Sequence, residues 1–323
     1  MQPDWKHFLE QRPFTIENVL GAERAAARST PVDPTSTRCV DLNHMTAMRL
    51  VGPDAATFLQ GYLTCDMKTL DATHALLGAY CNIKGRVVAD ATVISTHDNP
   101  TWVLHASLRE PVIASLRKYL AFSRSKFSEP DASPILLGIV NPPDDGVFAT
   151  QPLTVAPFRG GFAVVIPGEQ RRILLMLAVA EATALWLEYE SRSETADASV
   201  WDLLDVRAGI AHVCAPTSEA FLPQMLDYDQ LGAVSFTKGC YLGQEIVART
   251  QHRGRPKRHL HHLTWNGSPS PLVGDALSGS DGSRVGTLVN VGSTGADTGE
   301  ALAVLNDAVE GPLHAGPVKF ALQ

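Results

Sequence analysis

Residues 236–245 read Phe-Thr-Lys-Gly-Cys-Tyr-Leu-Gly-Gln-Glu, the densest group of reactive and polar side chains in the chain. Leu242 and Ile246 stand four apart, so the spacing predicts a helix over residues 241–250. Glu245 and Arg249 would then pair at i,i+4, with the acid on the favourable N-terminal side. Gly239 and Cys240 fall at the start of that helix, where free N–H groups and the positive end of the dipole gather. A thiol in that place, two residues from Lys238, is expected to have a lowered pKa and to be reactive. Gly243 inside a helix costs ~1 kcal/mol relative to Ala. That cost is easier to explain if something must approach the backbone closely. On these residues alone, Cys240 also reads as a small buried residue at a helix start.

Outward from this segment, strands and helices alternate. Residues 200–210 carry Trp201, Leu204 and Ala208 at helical spacing. Residues 171–190 begin as a strand and continue as a helix, and 135–140 and 162–166 read as strands. Residues 108–120 are helical, with Ile113, Leu116 and Leu120 on one face. Strands over 76–80 and 87–95 are joined by the tight turn 82–86, a hairpin, and 102–106 is a further strand. Gly52-Pro53-Asp54 opens a helix that buries Phe58 and Leu59 and stops near Gly61. Residues 39–51 contain strand. Trp5, Phe8 and Leu9 mark a short amphipathic helix over 4–12, followed by a stretch that ends in the loop PVDPTSTR. Beyond Gln251, short β-like runs separated by Gly, Ser and Asp turns predict a small β-barrel or sandwich. The fold class is therefore α+β. Residues 1–252 form an α+β region and 253–323 a β-barrel domain, with the boundary near 253–257. No GxGxxG follows a strand and no GxxxxGK[ST] occurs, which removes the commonest nucleotide-binding readings.

Composition agrees with a folded chain of two or three packed units: 323 residues, 45% hydrophobic and 19% charged. The formal net charge of −7 disfavours general nucleic-acid binding, which needs clustered Lys and Arg. Locally the balance reverses. Residues 246–274 contain no acid but hold Arg249, Arg253, Arg255, Lys257 and Arg258, with His252, His259, His261 and His262. This band suits RNA, an acidic protein or an anionic ligand tail; it also suits a solvated linker. His259 and His261 would share a strand face, but without a carboxylate or thiolate nearby no metal site is expected. Five cysteines, odd in number and without a CxxC pair, support neither a disulfide framework nor a local four-cysteine cluster. The most apolar run, residues 173–180, is far short of the ~20 residues of a membrane span. The start, MQPDWKHFLEQR, has no secretory core. The expectation is a soluble, cytoplasmic protein with no membrane partner.

KGCYLGQE followed by Val-Ala-Arg closely resembles the signature of the YgfZ family, whose members share the fold of the glycine-cleavage aminomethyltransferase and are related to the mitochondrial iron–sulfur maturation factor. GPDAATFLQGYLTCD (52–66), GAYCNIKGRVVAD (78–90), WDLLDVRAGI (201–210) and residues 284–305 resemble other stretches of that family. The resemblance implies a GcvT-like multi-domain ring, with residues 1–252 as two interleaved subdomains and a small C-terminal β-barrel, and tetrahydrofolate or a one-carbon derivative in its central opening. It implies a role in assembly or repair of iron–sulfur enzymes, including tRNA-modifying ones. The signature residues are Lys238, Gly239, Cys240, Tyr241, Gly243, Gln244, Glu245 and Arg249. Candidate folate contacts are Asp66, Tyr80, Asn82, Lys84, Asp90, Lys126 and Arg207, since the glutamate tail suits Lys or Arg and the pterin suits a flat pocket with a polar edge. The transferase's GxxxDD stretch places Ala89 at its catalytic Asp, keeping only Asp90. Its RLEAGL stretch places Arg207 at the pterin-gripping Glu. Aminomethyl transfer thus lacks its usual carboxylate. Three functions follow: a folate-binding accessory protein presenting Cys240 to folate or to iron–sulfur client proteins, a one-carbon transferase, or a non-enzymatic RNA- or protein-binding module. A Cys240–His252 nucleophile pair is discounted, because about three helical turns would separate the two.

Overall fold

The computed structural model describes residues 2–12, 36–128, 134–252, 254, 256–307, 309 and 311–323. Arg253 and Arg255 of the basic band and most of the PVDPTSTR loop lie outside them. The chain runs α1 (Pro3–Glu10), β1 (Arg38–Asp41), β2 (Met45–Val51), α2 (Ala55–Gln60), β3 (Leu76–Cys81), β4 (Val87–Thr96), β5 (Asn99–His105), α3 (Arg109–Leu120), β6 (Lys126–Phe127), β7 (Ile135–Val140), β8 (Val155–Phe158), β9 (Gly161–Ile166), β10 (Arg172–Leu177), α4 (Val179–Glu190), β11 (Thr195–Ala196), α5 (Ser199–Arg207) and α6 (Gln244–His252). Then come β12 (Arg258–Asn266), β13 (Ala276–Ser278), β14 (Arg284–Gly295), β15 (Thr298–Asn306), β16 (Leu313–Ala315) and β17 (Val318–Leu322).

Three sheets result: β11-β1-β7-β10-β9-β8, β3-β4-β5-β2-β6, and the closed barrel β12-β15-β14-β13-β16-β17. β7 (ILLGIV) and β10 (RILLML) are buried at every position. Continuous apolar runs of this kind need cover on both faces, and alternation sends successive side chains to opposite sides. Ile135, Leu137, Ile139, Ile173, Leu175 and Leu177 pack with Trp5, Leu9 and Trp186 of α1 and α4. Leu136, Val140, Leu174 and Met176 pack with Trp201 and Leu204 of α5 and with Ala47, Ile94 and Val103 of the second sheet. The two open sheets therefore share one core.

α5 is apolar around most of its circumference, so it must be buried on several sides. Val200, Trp201, Leu203, Leu204, Asp205 and Val206 are all buried. On one side the Trp201 ring lies over Gly138, where a Cβ would stand 2.5 Å from it. On another, Leu203 meets β14 at Gly292, where a Cβ would stand 2.6 Å from the Leu203 Cα. α5 thus joins the first sheet to the barrel.

The predicted elements are present, with three differences. In α2 the buried residues are Ala55 and Leu59, and Phe58 lies only partly buried against the core. In α3 the buried residues are Val112 and Leu116, so Ile113 and Leu120 sit only at the edge of the core. α6 begins at Gln244 rather than 241, because Gly243 at φ +82° breaks the helix on its N-terminal side.

Candidate functional site

A cavity partly open to solvent lies where the two open sheets, α5 and the segment before the signature meet. Its apolar walls include Met45, Leu77, Leu174, Trp201 and Tyr228. Its polar wall is Asp90 and Thr92 of β4, Asp205 of α5, and His212.

These polar groups form one chain of charges. Arg172 begins β10 with its side chain only 1% exposed, and its Nη1 donates to Asp205 Oδ1 at 2.6 Å. The second Asp205 oxygen lies 3.5 Å from His212 Nε2. His212 Nδ1 lies 2.7 Å from Asp90 Oδ2, and Asp90 Oδ1 accepts the N–H of Val213 at 2.6 Å. The Arg172 guanidinium also lies over the Trp201 ring, 4.9 Å from its centre. A buried charge survives only when paired and hydrogen-bonded. Here two cations alternate with two carboxylates, and the set sums to zero.

Burial by itself would favour a neutral His212 ring, but the carboxylates of Asp90 and Asp205 outweigh it and raise the pKa to about 10. Burial would likewise raise the Asp205 carboxyl, yet Arg172 and His212 hold it below its ordinary value. The His212 cation therefore adds stability in full below about pH 6.5, the unfolded value, and loses it as pH rises through about 10. Asp205 adds stability above its unfolded value, near about pH 4, and loses it as pH falls through the depressed folded value. Urea unfolding of the wild type and of His212→Gln should differ most near pH 6 and converge toward pH 10. A gap that stays constant with pH would mean that the ring titrates alike in the folded and unfolded protein.

The signature performs a different task from the one its spacing suggested. Lys238 is buried, and its ammonium donates to the carbonyls of Gln60, Leu63 and Cys65 at 2.8, 2.6 and 2.7 Å. Burial lowers its pKa. It also lies 5.1 Å from the centre of the Tyr241 ring. The Leu242 N–H donates to Gly61 at 3.0 Å and that of Ser235 to Thr64 at 2.9 Å. The signature loop is thus bound along residues 60–65. Lys238 points into that loop, where its ammonium donates to three carbonyls. Cys240 is exposed and stands four residues before α6, away from the helix start predicted for it. What approaches Gly243 is the hairpin turn: a Cβ there would stand 2.4 Å from the Asn82 carbonyl oxygen. Gln244 opens α6, whose residues Glu245 and Arg249 are exposed and form no ion pair with each other.

Of the seven candidate folate contacts, Asp90 lines the cavity and the other six do not. Asp66 caps the turn after α2, accepting from Lys68 N and Gln60 Nε2. Tyr80 neighbours Asp90's cross-strand partner Ala79, so pleating sends it to the opposite face, beside Tyr62. The Asn82 side chain closes the hairpin by accepting from Lys84 N and Arg86 N. Lys84 is exposed at the hairpin tip, and Lys126 is exposed on edge strand β6. Arg207 pairs with Glu300 of β15 at 2.7 Å, and Glu300 also takes His262 at 3.0 Å, so Arg207 fastens α5 to the barrel. The sequence reading missed Arg172, Trp201, Asp205, His212 and Tyr228. One signal was available: Trp201 and Asp205 are four apart, an acid and an aromatic on one face of a mostly apolar helix.

The GCVT N-terminal domain family matches residues 16–143. Among solved structures, the glycine cleavage system aminomethyltransferase T from Bartonella henselae superposes with a TM-score of 0.70 at 18% identity, covering 90% of this chain and 86% of that one. That likeness shows a GcvT-like fold. The tRNA-modifying protein YgfZ of Sodalis glossinidius is 31% identical over 264 residues, 77% of this chain and 79% of that protein. Its counterpart in Yersinia pseudotuberculosis is 30% identical over 280 residues, covering 83% and 84%. Across the described residues no helix is long and apolar enough to cross a membrane. Likeness of this extent, carried through the signature at 238–245 and the GcvT-like fold around it, makes the chain a member of the YgfZ family.

Proposed function

We propose that the protein is a tetrahydrofolate-binding accessory factor that supports assembly or repair of iron–sulfur enzymes, including ones that modify tRNA. The observation that carries the folate reading is the charge-neutral chain Arg172–Asp205–His212–Asp90, of which Asp205, His212 and Asp90 line a largely apolar cavity and Arg172 does not. A pterin is flat, uncharged and edged with donors and acceptors. A flat apolar wall at Trp201 and carboxylate acceptors beside it suit such a head group. A charged head group would upset the balance of the four buried charges. Folate would supply the one-carbon chemistry; the residues of this chain bind and orient it.

The same geometry favours an accessory role over a transferase. Asp90 spends one oxygen on His212 and the other on Val213 N, so it is not free to take a proton from a substrate amine. Cys240, exposed and outside the cavity lining, is accessible to a client protein. A single thiolate cannot hold a cluster by itself, so a role at a cluster requires the client's own ligands.

Calorimetric titration with tetrahydrofolate tests the reading. The wild type should bind. Trp201→Phe should weaken binding several-fold, and Cys240→Ala should leave it unchanged while abolishing support of client enzymes in cells. Absence of binding by the wild type would remove folate from the function.

A further inference from the structure

Three arginines from distant parts of the chain come within electrostatic reach of one another, Arg86 held to the Ala220 carbonyl and Arg258 on β12, which packs on the turn Pro223–Leu226. Arg86 follows the hairpin turn. Arg258 opens β12 and Arg284 opens β14, the two strands flanking β15. Arg258 stands opposite Asn306 and Gly286 opposite Leu305, so both arginines lie at the same end of the barrel. Leu260 and Thr287 each stand opposite Val304, and Arg284 folds back to the Thr287 hydroxyl at 2.9 Å. Strand alternation puts Arg258 on the Leu260 face, which packs against the core of the α+β body.

No carboxylate among the described residues pairs with any of the three. Arginines elsewhere on this chain do find one: Arg124 with Asp54, Arg159 with Glu188, Arg207 with Glu300. Arg258 Nε is buried without a hydrogen-bond partner, and burial, then Arg284 and Arg86, lower its pKa. Like charges gathered without a counterion are costly, and planar guanidinium forks match phosphate oxygens. The surroundings extend the positive field. Exposed Lys257 and Arg249 belong to the acid-free run 246–274, and α6 and β12 both pack against the turn Pro223–Leu226.

We propose that Arg86, Arg258 and Arg284 form a phosphate-binding site for the sugar–phosphate backbone of RNA. The site is separate from the cavity, whose lining includes none of the three arginines. A row of cations that continues to Lys257 and Arg249 suits repeated phosphates better than a single small anion.

Fluorescence anisotropy with an unmodified tRNA transcript, over a series of KCl concentrations, tests this. The wild type should bind at low salt. The double variant Arg258→Gln/Arg284→Gln should bind at least tenfold more weakly, with the slope of log K against log salt reduced by about one unit per arginine. Arg192→Gln, an exposed arginine on the turn after α4, should behave as wild type. Arg86 is left in place because it also holds Ala220. Should the double variant fail to fold, Arg284→Gln alone decides, since among the described residues its guanidinium donates to the Thr287 hydroxyl and pairs with no carboxylate. No tRNA binding by the wild type, or an unchanged slope in the folded variants, would overturn the proposal. So would binding of a polyglutamate peptide in place of tRNA, or loss of tetrahydrofolate binding in the arginine variants. Binding of tRNA by a protein that takes no folate would leave this site standing and remove the cavity reading alone.

Discussion

Asp205→Ala is expected to destabilise the protein by about 3–5 kcal/mol, the usual cost of leaving a buried charge without its partner. Arg172 keeps 1% of its side chain exposed and has nowhere to turn for solvent. Its other acceptors are the carbonyls of Pro167 at 3.1 Å and Trp201 at 3.4 Å, which carry no compensating charge. His212 would lose one of the two carboxylates that keep it charged, so its ring should also become easier to deprotonate. The double variant Arg172→Met/Asp205→Leu should recover most of the loss, because replacing both partners with apolar groups removes the desolvation cost with the attraction. Chemical denaturation of the three proteins measures this. A loss below about 1 kcal/mol in Asp205→Ala would mean that Arg172 finds water or another anion.

Lys238→Met should cost about 3–5 kcal/mol, although a lysine in a reactive-looking signature would ordinarily be tested for activity. Hydrogen bonds to a charged group are each worth roughly 1.5–3 kcal/mol, and Lys238 makes three within 2.8 Å. They are not additive, since all three share one ammonium, but the carbonyls left behind belong to a loop that the signature segment covers. Hydrogen exchange should show residues 60–65 opening along with residues 235–242. Cys240→Ala, whose thiol is exposed, should leave stability within about 0.5 kcal/mol. Equal stability in Lys238→Met and the wild type would return Lys238 to a chemical role.

The elements themselves were legible in the sequence because their signals are local. The alternating and continuous apolar runs of β4, β7 and β10, the hairpin turn at Asn82–Arg86, the Gly-, Ser- and Asp-punctuated strands after Gln251, and the spacing of Trp201 and Leu204 all report on neighbours within a few residues. The signature also located a functional region and a family, since a run of unusual choices is informative without any knowledge of contacts. Its meaning in three dimensions was not legible. Lys238 reads as a neighbour of Cys240 along the chain, but its ammonium lies among carbonyls more than 170 residues earlier in sequence. Gly243 reads as a place for a ligand, and the space is taken by the hairpin turn.

The candidate site was the least readable part, for the same reason. Arg172, Asp205, His212 and Asp90 come from a strand start, a helix, a loop and a second sheet, and no spacing joins them. Likewise Arg86, Arg258 and Arg284 come within electrostatic reach of one another only in the folded chain. The sequence by itself determined the order of elements, the barrel at the C-terminal end and the family, because periodicity and turn chemistry act over a few residues. Only the tertiary structure decided which charges meet, since burial lowers the local dielectric and makes pairing between distant segments the condition for keeping a charge inside at all.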